Sequence, residues 1–218
     1  MATIGMAVNS KMEFNNSSMK YIISVFLLFP FFLSSCSVPR YIVESNGQNT
    51  GLDFTTGKWL LNFVDATAGT QNKLTTMAVS DFSQALGARL VYVAEASGLL
   101  LPKMVEMNPS KSVIKRLKTG TDFDYFINIK ANDTKKQLGN VDFSNHHFNK
   151  GGINESELIL EVYDLNTSEI IYSQKVIAFV ARENDNNDVH FAKSNDDLII
   201  GAYKKMIDQL MKKSITNK

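Results

Sequence analysis

The run from Glu157 to Val180 constrains this chain more than any other stretch. Glu157 to Tyr163 (ELILEVY) alternates apolar and polar residues, and Glu169 to Val180 does the same. A period of two places one set of side chains on each face of a strand. Between the two runs, Asp164-Leu165-Asn166-Thr167-Ser168 supplies Asp and Asn side chains that can bond their own backbone two residues on. Two alternating runs joined by such a turn predict an antiparallel hairpin.

The rest of the chain supplies what a hairpin needs to be buried. Lys58 to Asp65 (KWLLNFVD) is an apolar run of the length of one buried strand. From Asn72 to Ser97, Leu74, Met77, Ala78, Phe82, Ala85, Leu86, Leu90 and Val93 recur at three and four, which predicts a helix stopped by Gly98. Leu99 to Met104 reads as a short edge strand because Pro102 cannot donate to a central ladder. Asn108-Pro109 reads as a cap with Pro at the first helical position, and Val113, Ile114 and Leu117 form the stripe of a second helix ending near Gly120. Asp124 to Lys130 (DYFINIK) is rich in strand formers. A polar insertion, Ala131 to Ser156, precedes the hairpin. Ser194 to Asp197 then caps a last helix that ends on Lys212-Lys213, as the helix dipole favours. The order β-α-(β)-α-β-β-β-α predicts an α/β (α+β) fold. It is a single domain over 58–213, with a mixed sheet of about four to five strands and three helices.

Residues 1–36 follow another logic. Tyr21 to Leu33 is almost wholly apolar, but at 13 residues it is too short to cross a hydrocarbon layer of roughly 30 Å as a helix. Lys20 precedes it, and Leu33-Ser34-Ser35-Cys36 closes it with small residues and the only cysteine in the chain. A short core helix with a buried thiol is opposed by Phe29-Pro30-Phe31, which would break it. A nucleophilic thiol would need a base, and no triad pattern surrounds Cys36.

The order charged, apolar, small, Cys resembles the lipobox of bacterial lipoproteins. The resemblance implies that residues 1–35 are a signal peptide and that Cys36 becomes the acylated first residue. Met19-Lys20 followed at once by the apolar run is a complete signal peptide, so translation is expected to begin at Met19. Residues 36–57, with Pro, Gly, Asn and Ser and little periodicity, read as a flexible tether. Ser37 stands where enterobacterial lipoproteins retained at the inner membrane carry Asp, which implies an outer-membrane location. The acidic cluster that promotes surface export in some Bacteroidota-type lipoproteins is missing after it, which favours the periplasmic face. Loss of Lys11, Glu13 and Lys20 with the signal leaves a net charge near zero. Neither an electrostatic grip on anionic lipid nor a nucleic-acid partner is implied.

Asp124-Tyr125 entering a strand, and Tyr163-Asp164-Leu165-Asn166-Thr167 turning the hairpin, resemble a domain of known families. It is shared by the amino-terminal part of TolB, the curli-secretion lipoproteins and the lipoprotein activators of penicillin-binding proteins. In that reading Asp124, Tyr125, Tyr163, Asp164 and Thr167 are structural. The family's usual Gly after the DY strand is replaced here by Asn128, Lys130 and Asn132, and the 131–156 insertion lacks the alternation of a membrane-spanning hairpin. The resemblance implies a non-catalytic envelope lipoprotein whose domain docks on another, unidentified envelope protein.

Other chemistry is sparse. His146 and His147 point apart on a strand and lie about 100° apart on a helix, so they need a further ligand, such as Asp188 or His190 from another loop, to hold one metal. A ligand- or metal-binding lipoprotein using this loop is the alternative function. Phe143 and Phe148 beside the histidines suit partner contact, and equally suit tucking the loop onto the domain. Arg182 to Asp188 (RENDNND) lacks the glycine and terminal glutamate of a calcium loop. Phosphate-binding glycine loops, a serine elbow and a paired-carboxylate frame are absent from the sequence, so no enzyme is expected and no cofactor beyond the covalent lipid on Cys36.

Overall fold

In the computed structural model the described residues are 38–45, 51–96, 102, 104–133, 153–181 and 194–216. The chain divides between Cys36 and Ser37, and every described residue belongs to the second unit, Ser37–Lys218. Among the described residues that unit is α+β: six strands, β1 (Arg40–Ser45), β2 (Trp59–Leu61), β3 (Leu90–Tyr92), β4 (Tyr125–Asp133), β5 (Ile153–Asp164) and β6 (Glu169–Ala181), with three α-helices, α1 (Ala68–Leu86), α2 (Lys111–Gly120) and α3 (Asn195–Lys213). The strands form one sheet in the order β1-β6-β5-β4-β2-β3. β2 runs parallel to β3 and β4, and the other pairs are antiparallel.

The β5–β6 hairpin is the one its alternation predicts, with a bulge at Val162/Tyr163. Leu158, Leu160 and Val162 on β5 and Val176, Ala178 and Val180 on β6 point to one face and are buried there. α1 and α3 cover that face. Leu74, Ala78 and Phe82 from α1, with Leu198, Tyr203, Met206 and Leu210 from α3, close the main core. A smaller cluster forms on the opposite face, where α2 lays Ile114 and Leu117 against Leu60, Phe126 and Tyr163. α2 covers only the end of the sheet nearest β2 and β4.

Three expectations need correction. Where a flexible tether is expected over 36–57, β1 pairs along its whole length with β6, from Arg40↔Phe179 to Ser45↔Gln174. Leu52 and Phe54 lie in the main core, and Phe54 N–H donates to the Ile215 carbonyl at 2.9 Å. The folded unit therefore begins near Arg40 and not at Lys58. The strand is hard to read because Ile42, on its open side, is as apolar as Tyr41 and Val43 on its covered side. Second, α1 ends at Leu86, because Gly87 takes φ 59, a left-handed conformation that halts the helix. Leu90 and Val93, which continue the helical spacing, instead lie in β3 and the 3₁₀ turn Val93–Glu95. Third, among the described residues the sheet edge opposite β1 is β3, and Pro102 and Met104 lie outside any strand, while Leu99–Leu101 and Lys103 of the expected edge strand lie outside the described residues. With β1 and β3 in place the sheet has six strands, one more than expected.

Candidate functional site

On the face away from α1 and α3, no helix among the described residues covers the half of the sheet formed by β1, β6 and β5. On β1, Arg40, Ile42 and Glu44 stand opposite Phe179, Ile177 and Lys175 of β6. On β5, Glu155, Glu157 and Ile159 stand opposite the same three residues. None of these positions falls in either buried core cluster. Ile42 is 49% exposed, and Ile159, Ile177 and Phe179 are half-buried. Charge is ordered across the same face. Lys175 pairs with Glu44 at 2.7 Å and reaches Glu157 at 3.7 Å, and Glu157 accepts from Asn132 at 3.1 Å. The Lys175 ammonium is held above its ordinary value, first by its hydrogen bond to Glu44 and further by the charges of Glu44 and Glu157, against the effect of burial. Three isoleucines and a phenylalanine thus surround a Glu-Lys-Glu row on this face.

Beside this face, the segment 104–110 crosses the sheet toward α2. Two buried amides hold it. Asn62 Nδ2 donates to the Val105 carbonyl at 2.7 Å and to Asn128 Oδ1 at 3.0 Å. Asn128 Nδ2 donates to the carbonyls of Glu106 at 3.0 Å and Val105 at 3.3 Å. Asn108, at φ 55, donates its N–H to Glu161 at 3.3 Å, and Tyr163 Oη donates to the same carboxylate. Burial, and then this hydrogen bond, push the Tyr163 phenol up from its ordinary value. Between segment and helix lies a cleft of about 500 Å³ lined by Met104, Val105, Met107, Pro109, Val113 and Arg116.

The residues that carry the sequence resemblance converge at the hairpin end of β4. Tyr125 pairs with Asp164, and Phe126 with Tyr163. The Asp124 carboxylate accepts from the Lys58 N–H at 3.0 Å and from Lys118 Nζ at 3.1 Å, while its carbonyl accepts from the Leu165 N–H at 2.8 Å. The Lys58 N–H, first among these donors, holds the Asp124 carboxyl below the usual carboxylate value. Tyr125 lies against Trp59 with ring centroids 4.3 Å apart. Asp164 Oδ1 accepts from the N–H of Asn166 at 2.7 Å and of Thr167 at 3.3 Å, which closes the turn. Thr167 enters through its backbone, and Ser168 completes the turn at φ 62. These contacts fix strand register, and a binding role is not visible in them.

Cys36, Phe143, His146, His147, Phe148, Asp188 and His190 lie outside the described residues. Among the described residues no group of three His, Cys, Asp or Glu side chains is placed to hold a metal, and no helix is long and apolar enough to cross a membrane. Sequence reasoning missed the Asn62–Asn128 pair, although Asn inside two otherwise apolar strand runs was its signal.

No family model matches the chain. No curated protein matches it either. Among solved structures, the PelC dodecamer from Paraburkholderia phytofirmans is 7% identical with a TM-score of 0.43, covering 78% of this chain and 98% of that one. Lipoprotein GNA1162 from Neisseria meningitidis is 10% identical with a TM-score of 0.35, covering 70% and 99%. The hypothetical protein CT253 from Chlamydia trachomatis is 11% identical with a TM-score of 0.32, covering 72% and 95%. At such scores the reading of this chain rests on its own residues.

Proposed function

We propose that this chain is a lipid-anchored envelope lipoprotein, held through Cys36 at the periplasmic face of the outer membrane. There its α+β domain acts as a non-catalytic module that binds another envelope protein. The observation that carries the proposal is the short interval between anchor and fold. Cys36 stands three residues after the apolar run, and β1 begins at Arg40. Four peptide steps reach at most about 14 Å, so the domain is carried close to the bilayer surface and not on a long leash. Each buried CH₂ of an acyl chain contributes about 0.8 kcal/mol, and two or three chains make such an anchor effectively permanent. The uncovered face starts on the strand that leaves the anchor, and confinement beside the membrane raises the effective concentration of a partner held there.

The test is site-specific photocrosslinking in intact envelopes. A photoreactive residue at Ile159 or Ile177 is expected to capture a discrete protein that the same probe at Lys204, an exposed position on α3, does not. Equal capture at all three positions, or none at any, would overturn the binding role.

A further inference from the structure

We infer that β1 is an interface to a second copy of this chain, joining two sheets edge to edge about a two-fold axis. Among the described residues β1 has a neighbour on one side only, β6. Its other side therefore presents unpaired backbone N–H and C=O groups, the standing template for another strand. Edge strands that resist pairing are commonly short or carry Lys or Pro within them. β1 has six residues, RYIVES, with its proline outside, at Pro39.

The sequence of β1 is complementary to itself in one antiparallel register. Centred on Ile42, that register sets Arg40 opposite Glu44 of the second copy, Ile42 opposite Ile42, and Tyr41 opposite Val43. It keeps even residues opposite even and odd opposite odd, so whichever set of amides points outward finds its match. It also keeps each side chain on its own face, because directly opposed residues of an antiparallel pair share a face. The helix-covered face then continues through Tyr41 and Val43, and the uncovered face through Arg40, Ile42 and Glu44. Moving the centre to Tyr41 sets Pro39 opposite Val43 and Arg40 opposite Ile42. Moving it to Val43 sets Ile42 opposite Glu44 and Arg40 opposite Asn46. Only the Ile42 register pairs both charges and both isoleucines. Such a contact is isologous, as closed two-fold dimers require.

Each residue is free to take part. Arg40 is exposed and faces Phe179, not a carboxylate, within its own chain. Ile42 is 49% exposed. Glu44 spends one side on Lys175 and keeps a 46% exposed side chain. The joined sheet would have twelve strands, with the uncovered faces of both copies forming one surface.

The full-length chain carrying Ile42→Cys, produced in cells and oxidised in place, tests the inference. Opposed Cα atoms in an antiparallel pair lie about 4.5–5.5 Å apart, within disulfide reach. The expected result is a disulfide-linked dimer as the main product. Val43→Cys on the covered face, and the natural chain with Cys36 alone, should give at least tenfold less. Adding Arg40→Glu, which sets like charges opposite one another, should lower the Ile42→Cys yield several-fold without changing the amount of folded chain. Crosslinking at Ile42 no greater than at Lys204→Cys, or yield indifferent to Arg40→Glu, would overturn the inference. Either result leaves the capture of another protein at Ile159 or Ile177 to be judged on its own.

Discussion

At Gly201 the lack of a side chain decides how closely β1 approaches α3. An added Cβ there would overlap the phenol oxygen of Tyr41. Alanine is otherwise the better helix former by about 1 kcal/mol, so the two effects oppose each other. Gly201→Ala is expected to destabilise the domain by about 1 kcal/mol, and to stabilise it by a similar amount once Tyr41 is truncated to Ala. Urea unfolding of the four chains checks this, and additive effects would show that Tyr41 does not need the glycine. Asp124 gives the acid-side expectation. Its folded carboxyl titrates below its ordinary value of 3.8, so its contribution is complete above that value and is lost as pH falls through the lower folded one. Asp124→Asn should therefore be less stable than the natural chain at neutral pH. The gap should close as the pH is lowered past 3.8 and below. A gap that stays constant with pH would assign the effect to packing.

Between elements, the segment 104–110 depends on two side chains more than on its own sequence. Asn128 is 1% exposed and Asn62 likewise. Removing Asn128 leaves the Glu106 carbonyl without its donor and one N–H of the buried Asn62 amide without its acceptor, which costs about 2 kcal/mol. Asn128→Leu is expected to lower the urea midpoint accordingly, while Asn132→Leu, nearer the end of β4, should change it far less. Comparable losses at both sites would mean the clamp is not what fixes the segment. The same elements show what the sequence discloses. Hairpin, α2 and α3 are legible from their period and turn residues, and α3 also from its cap, since Ser194 does accept from the Asp197 N–H at 3.2 Å. The expected cap of α2 is wrong, because that helix starts at Lys111 after Ser110, and Asn108, at φ 55, and Pro109 lie before it. The end of α1 is not legible, since Leu90 and Val93 keep the helical spacing while Gly87 alone breaks the backbone. β1 is missed because the partner that makes it a strand lies more than 120 residues away, and an open face lets Ile42 hide the alternation. Asn128 reads as a departure from a family pattern, and only the fold shows that it and Asn62 reach the same carbonyl.

At the scale of the whole molecule, the described residues form a sheet with one face closed by α1 and α3 and, among those residues, the other left open over β1, β6 and β5. Cys36, the proposed anchor, stands four positions before Arg40 of the edge strand. Neither the open face nor its edge can be seen in the sequence, because a strand's alternation tells which residues share a face and not whether a helix covers it. The lipobox resemblance that motivates the proposed anchor, by contrast, is read from sequence alone, since it needs only local order. Replacing Cys36 by Ala should leave the domain folded and release it from membranes into the soluble fraction. The most direct test is the intact mass of the mature natural chain extracted from envelopes. A mature amino terminus at Cys36, with residues 1–35 absent and the added mass of two or three acyl chains, is the expected result. A chain that keeps residues upstream of Cys36 and an unmodified thiol would contradict it.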